Sequence, residues 1–273
     1  MPKVYLVNFG TPNFYKSQKE LNESALKFGV DETISYTFDM IKQTDFYRDN
    51  KDLLDRKRWV GWGSWKPYVI LEALKKIKEG DILIYSDSGI SFKSSFEDII
   101  KRCDKKGIVL FRSTPINSQF VKRDTFILTG CDTKEYHDAH QIMAGLNLWK
   151  NTPTSRRIVS EWLEFCKDTR IITNDANVCG KPNFPDYLEP RGDQSILSLL
   201  TVKYKKHIDI IDDTDPKYSE YSKEYGCRIS LLWDVHRRRD RKPMEWIMWK
   251  IKLITPIGLK DGIKWFISHY IKK

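Results

Sequence analysis

The chain has 273 residues, of which 40% are apolar, 31% charged and 13% aromatic, a composition that excludes a disordered or fibrous protein and allows one large α/β domain, alone or with an appendage. The formal net charge is +10. Most of it is local: from Arg228 to Lys273 twelve Lys or Arg stand against four Asp or Glu, a net of +8 in 46 residues, so the tail asks for an anionic partner while the rest of the chain is near neutral.

Val4 to Phe9 is a short apolar run ending at Gly10-Thr11-Pro12 and reads as a buried first strand and turn. Ser17 to Phe28 reads as a helix, and Lys51 to Arg58 as a charged surface helix. Pro67 to Lys78 carries Ile70, Ala73, Leu74 and Ile77 on one face, with Pro67 in the first turn and Gly80 as the stop. The β-rich run Asp81 to Tyr85 follows at once as a second buried strand. Ser95 to Lys105 is a predicted helix with Ser94 or Ser95 as N-cap, Ile108 to Phe111 a third strand, and Phe126–Leu128 and Ile142–Trp149 further strands. Thr154 to Lys167 is an amphipathic helix with Ile158, Trp162 and Phe165 inward. Asn174 to Asp193, with three prolines and two glycines, reads as a long functional loop. Strands alternating with helices predict an α/β fold whose sheet is largely parallel, with ligands beyond the carboxyl ends of its strands.

The five cysteines, Cys103, Cys131, Cys166, Cys179 and Cys227, are odd in number and form no CxxC pair, so neither a disulfide framework nor a thiolate zinc site is indicated. The start, MPKVYLVNFG, lacks the pattern of a signal peptide, and no run approaches the roughly 18 apolar residues of a membrane span. The expectation is a soluble, cytoplasmic chain.

Five constellations could carry chemistry. Tyr85-Ser86-Asp87-Ser88-Gly89 places a carboxylate at the end of a buried strand, where it could hold a hard divalent cation with a diphosphate completing the shell, or simply cap the next turn. Gly61-Trp62-Gly63-Ser64-Trp65-Lys66-Pro67-Tyr68 offers aromatic rings for a base or sugar and Lys66 for a phosphate; the alternative for the tryptophans is an aromatic plug in the core. In Arg191-Gly192-Asp193-Gln194-Ser195, Asp193 either caps a helix or serves as base or anchor for an acceptor hydroxyl. Trp233 to Arg239 holds His236, a metal ligand or a surface histidine, beside an arginine run. Lys122-Arg123-Asp124 on its own reads as a surface charge cluster.

Together these segments resemble small GT-A glycosyltransferases of the capsular-polysaccharide and viral types. The residues that carry the likeness are GWGSWKPYVILEAL at 61–74, GDILIYSDSG at 80–89, VKRDTF at 121–126 and RGDQSILSLL at 191–200, in that order. The resemblance implies a single Rossmann-like GT-A domain with a mainly parallel central sheet over residues 1–240, a basic helical tail over 241–273, a nucleoside-diphosphate sugar donor (UDP-sugar by default), and Mn²⁺ or Mg²⁺. It implies Asp87 and His236 as metal ligands and Asp193 on the acceptor side. Lys66, Lys122 and Arg123 become donor contacts, with Trp65 and Ser88 beside them. Asn8 and Gly10 join the base and ribose site, and Gln141 to Gly145 the sugar pocket. The Ser86-Asp87-Ser88 motif has one acidic residue where many relatives have two.

In the tail, Met244, Ile247, Met248 and Ile251 share a helical face, as do Leu259, Ile263, Phe266 and Tyr270, with lysines interspersed. Residues 244–273 therefore predict either peripheral contact with an anionic membrane, suited to a lipid-linked acceptor, or a packing helix pair. The rival readings are a basic aromatic nucleic-acid-binding protein, a two-metal nucleotidyltransferase or nuclease, and an inactive nucleotide-sugar-binding module. No nucleic-acid motif appears and the N-terminal part is nearly neutral, so no nucleic-acid partner is expected.

Overall fold

The computed structural model describes residues 2–222 and 227–235; His236 and the expected tail helices lie outside the described residues. Its centre is a six-stranded sheet built from β1 (Val4–Gly10), β2 (Glu32–Thr37), β3 (Ile82–Ser86), β5 (Ile108–Ile116), β6 (His140–Lys150) and β7 (Ile208–Ile211), in the order β2-β1-β3-β6-β5-β7. β1 runs parallel to β2 and β3, and β5 parallel to β7, while β6 is antiparallel to both its neighbours. The expected mainly parallel α/β sheet is present, with one reversed strand in its middle.

Side-chain alternation along the strands makes two cores. Leu83 and Tyr85 of β3 with Val7 and Phe9 of β1 face one side; Ile82 and Ile84 with Val4 and Leu6 face the other. On the first side pack α2 (Trp65–Lys76), α5 (Pro153–Lys167) and α6 (Asp193–Lys203), through residues such as Ile70, Trp162 and Leu197. On the second pack α1 (Tyr15–Lys27) and α3 (Glu97–Lys106), through Leu21, Ala25, Ile99 and Cys103. Each fully buried Leu, Ile or Val in these layers contributes about 1.5–3 kcal/mol relative to exposure. All five residues of β3 are buried, which fixes the strand that carries Asp87 at its exit.

Several expectations need correction. Phe126–Leu128 is not a strand but the end of α4 (Arg123–Leu128), where Phe126 packs edge-on to Phe184 and His137. A three-residue apolar run has no period by which to tell strand from helix. The segment after Asn50 is helical only over Lys51–Leu54, and Leu53 and Leu54 are buried, so it is not a surface helix. α2 begins at Trp65, two residues before Pro67, and ends at Lys76.

A short ribbon closes the edge of the fold. β4 (Ile90–Phe92) pairs antiparallel with β10 (Trp233–Val235), with Val235 opposite Ile90. The chain thus returns to within a few residues of Asp87. β8 (Ser219–Ser222) and β9 (Cys227–Ser230) pair antiparallel as a separate two-stranded sheet.

Candidate active site

Three elements converge beyond the carboxyl ends of β1 and β3. β3 exits through Ser86 to Asp87, α2 begins with Trp65-Lys66, and α6 begins at Asp193. Lys66 is buried, with its Nζ 2.9 Å from Asp193 Oδ2 and 3.3 Å from Asp87 Oδ1. Asp193 is as buried as the lysine, whereas the Asp87 side chain is 45% exposed. The Tyr85 phenol donates to Asp87 Oδ1 at 2.6 Å. One ammonium therefore joins two carboxylates that lie far apart in the chain.

Lys66 and Asp193 form a close ion pair closed to water on both sides. Burial pushes the Asp193 carboxyl up to about 6, helped by the negative charge of Asp87 and opposed by Lys66. For Lys66, burial alone would lower the pKa; Asp193 and then Asp87 more than reverse this, and the ammonium is held above its ordinary range. The Tyr85 phenol is pushed well up, chiefly by burial and then by Asp87.

Local backbone makes the convergence possible. Residues 59–63 form a left-handed turn: Trp59, Val60 and Trp62 have φ of 48°, 53° and 61°, and Gly63 has φ of 80°. Each non-glycine residue in that region costs about 1–2 kcal/mol. At Gly63 a Cβ would lie 2.3 Å from Asp193 Oδ1, and at Gly145 a Cβ would lie 2.8 Å from Asp87 Oδ2. Both carboxylates are thus seated against bare backbone. Asp87 is further fixed by its own N–H, which donates to the Gly145 carbonyl at 2.8 Å, and Asp193 by the Trp162 indole, which donates to its carbonyl at 2.9 Å.

The other residues expected at the site divide into two groups. Near the centre, Trp65 is buried and stacked on Phe9 with ring centroids 3.9 Å apart, its indole donating to the Trp59 carbonyl, so it is an aromatic plug. Ser88 is buried and donates to the Phe9 carbonyl at 2.5 Å. Asn8 is fully buried: its amide donates to Asn22 and accepts from Gln18, each at 2.7 Å, so its polar atoms are spent inside the protein. A Cβ at Gly10 would meet Gln18 at 2.9 Å. Gln141 donates to Asn117 at 2.7 Å and accepts from Gln194 at 3.1 Å, which ties β6 to the residue after Asp193; Gln194 itself gave no separate signal in the sequence.

Lys122 and Arg123 belong to a second cluster. Lys122 is buried, donating to the Asp175 carbonyl at 3.0 Å and lying 3.4 Å from Asp124. Arg123 pairs with Asp132 at 2.9 Å and lies over the Phe184 ring. Asp124 accepts from the Val178 and Cys179 amides. Burial alone would raise the Asp124 carboxyl, but these bonds and Lys122 hold it below the ordinary range. Lys122-Arg123-Asp124 is therefore the anchor of the 174–190 loop rather than a solvated charge cluster. The sequence hint was the coupling of such a motif with a long loop rich in Pro and Asn.

No family model matches the chain, and no curated protein matches it. It is similar to several solved structures. Mouse xyloside xylosyltransferase 1 in its apo form shares 10% identity over 77% of this chain and 85% of that one, with a TM-score of 0.46. The galactosyltransferase LgtC, in complex with donor and acceptor sugar analogues, shares 10% over 94% of this chain and 99% of that one, with a TM-score of 0.42. The 4-diphosphocytidyl-2C-methyl-D-erythritol synthase of Anaerococcus prevotii shares 11% over 77% and 87%, with a TM-score of 0.39. Similarity at this level carries no argument about chemistry, which rests on the side chains described above.

A divalent cation was expected at Asp87. Among the described residues no group of three His, Cys, Asp or Glu could hold one. Asp87 does offer a half-exposed hard oxygen ligand, which fits a Mg²⁺ or Mn²⁺ ion whose shell is completed largely by substrate phosphates and water. Among the described residues no helix is long and apolar enough to cross a membrane.

Proposed function

We propose that this chain is a glycosyltransferase that moves a sugar from a nucleoside-diphosphate donor, a UDP-sugar by default, to a hydroxyl of a glycan or lipid-linked acceptor. The observation that carries the reading is the meeting of Asp87, Lys66 and Asp193 at the carboxyl edge of the parallel strands, where open α/β sheets bind their ligands.

In the transfer, the acceptor hydroxyl oxygen forms a bond to the anomeric carbon while the bond from that carbon to the donor diphosphate breaks. The electron pair leaves with the nucleoside diphosphate. Lys66 is a fixed, buried cation beside the departing charge and is already oriented by two carboxylates, so it needs no reorganisation as that charge grows. Asp193 takes the acceptor proton, and its carboxyl, pushed up to about 6 by burial, is ionised yet basic near neutral pH. That role belongs to an inverting transfer; in a retaining one the same carboxylate positions the sugar. Asp87, with His236 as the residue following Val235, would hold Mn²⁺ or Mg²⁺, which when bound neutralises charge on the diphosphate.

Thermal shift of the full chain against a panel of nucleotide sugars with Mn²⁺ tests the reading. A ligand at 100 times its Kd stabilises by about 2.7 kcal/mol, and the best ligand names the donor. Absence of any shift, together with no sugar release from the whole panel, refutes it.

A further inference from the structure

We propose that Tyr85 is a positioning residue that makes Asp87 a one-oxygen ligand and thereby sets which divalent cation the site accepts. This deepens the cation role of Asp87 in the proposed transfer and rests on it.

β3 supplies the tyrosine and, at its exit, the acid. Successive side chains of a strand point to opposite faces, so positions 85 and 87 share one. Tyr85 belongs to the core on the α2 side of the sheet and is fully buried, whereas the Asp87 side chain is 45% exposed. A phenylalanine would fill the same place in the core with no hydroxyl to satisfy. A buried phenol needs a hydrogen-bond partner, and among the described residues that of Tyr85 has one, Asp87 Oδ1 at 2.6 Å.

The Lys66 ammonium lies 3.3 Å from the same oxygen and 5.3 Å from the centre of the Tyr85 ring. Tyr85 thus touches both members of the pair: its hydroxyl holds the carboxylate and its ring faces the ammonium. Both donors meet at Oδ1. The other oxygen, Oδ2, lies where a Cβ on Gly145 would be 2.8 Å away, and the main-chain N–H of Asp87 donates to the Gly145 carbonyl at 2.8 Å. The carboxylate is tethered at one oxygen and bordered by bare backbone at the other.

Held in this way, Asp87 offers a cation one bond. Mg²⁺ suits such a ligand, because it keeps octahedral geometry and fills its shell with water and substrate phosphates, and Mn²⁺ shares its preference for oxygen octahedra. Ca²⁺ takes about six to eight oxygens and readily grips a carboxylate through both. To do so here it would have to draw Oδ1 away from the phenol and the ammonium. Among the described residues no group of three His, Cys, Asp or Glu makes up the difference.

The test is calorimetry of the full chain with UDP, GDP, CDP and ADP, each in Mg²⁺, Mn²⁺ or Ca²⁺. The wild type binds its best nucleotide at least about ten-fold more tightly with Mg²⁺ or Mn²⁺ than with Ca²⁺, and Tyr85→Phe narrows that gap about ten-fold, the worth of one hydrogen bond to a charged group. The melting temperature of Tyr85→Phe stays close to that of the wild type. Tyr36→Phe, which removes another core hydroxyl, bonded to Lys76 at 3.0 Å, leaves the gap unchanged. The proposal is overturned if the wild type accepts Ca²⁺ as well as Mg²⁺, a result that needs no variant to fold. It is equally overturned if the gap survives in Tyr85→Phe, if Tyr36→Phe narrows it as much, or if no cation affects binding. A gap that closes in Tyr85→Phe, in a chain that releases no sugar from any donor, would keep the cation device and remove the transferase reading; sugar transfer without cation preference would do the reverse.

Discussion

Replacing Asp193 by Asn removes one titrating group and little else. The backbone carbonyl that receives the Trp162 indole stays, and the amide has the shape of the carboxylate that Gly63 accommodates. In the wild type the folded chain holds the Asp193 proton up to about pH 6 because of burial, whereas an unfolded Asp releases it near its ordinary value of about 4. The folded state thus binds more protons between these two values, so the contribution of this group is fully present below about pH 4 and is lost as pH rises to about 6. The loss amounts to about 3 kcal/mol. The Asp193→Asn variant has no such loss, and Asp87, 3.3 Å from the Lys66 ammonium, remains to hold that charge. Carboxylates held below their ordinary value, such as Asp124 and Asp209, titrate below this window and do so in both proteins. Urea unfolding of both chains at pH values from about 4 to about 7 should therefore show the variant gaining on the wild type by about 3 kcal/mol over the series. Parallel stability curves would refute the claim that Asp193 is ionised at a cost, and with it the reason for treating that carboxylate as a base.

Four other outcomes are expected. Asp87→Asn abolishes transfer and cation-dependent donor binding while the melting temperature holds, and excess chelator does the same to the wild type; full turnover in either case removes the cation role. Gly145→Ala places a methyl group 2.8 Å from Asp87 Oδ2 at ordinary φ, so turnover falls by about 100-fold with the fold intact; unchanged kcat/KM would show that Asp87 need not sit where it does. Lys122→Met leaves Asp124 buried without its cation, costs about 3–5 kcal/mol and exposes 174–190 to limited proteolysis, whereas an unaltered digestion pattern would deny the anchor. In chelator, UDP binding measured by calorimetry tightens as the pH falls from about 8 to about 6; a flat profile would mean that Asp193 does not feel the ligand.

How much of this was legible depended on what each residue faces. β1, β3, α2 and α5 were visible because their apolar residues follow one period and end at Gly, Pro or a polar cap. Glu32–Thr37 was missed: as an edge strand it reads ETISYT, with only Tyr36 buried, and carries no apolar run. The reversal of β6 was equally hidden, since a strand buried on both faces has the same composition in either direction. At the site, Lys66, Asp87 and Asp193 were each singled out from local sequence, but nothing local says that one lysine serves both carboxylates. That fact belongs to tertiary packing, as do the Tyr85 bond to Asp87 and the seating of both acids on glycines. Asn8 and Ser88 show how such a residue can be held from within. A polar residue in a buried strand or turn looks functional in sequence, yet here hydrogen bonds with Gln18, Asn22 and the Phe9 carbonyl satisfy them.

The charge count at the centre bears on two carboxylates of unequal burial that share one ammonium. With both carboxylates ionised, the trio Lys66, Asp87 and Asp193 carries a net charge of −1, and a diphosphate arriving beside it adds more. In a site where Asp193 and Lys66 are both closed to water, that repulsion is poorly screened. Two groups of the trio can relieve it: the half-exposed Asp87 by taking on another cation, or Asp193 by taking up a proton. The first prepares the leaving group and the second consumes the base, so the two act in opposite directions on the rate. Under the proposed transfer, a donor that enters with its own cation would leave Asp193 free to accept a proton from the acceptor. One that enters without a cation would protonate Asp193 and stall that transfer. The unequal exposure of the two carboxylates sorts these roles, because only Asp87 can exchange ligands with solvent while Asp193 answers to the field inside.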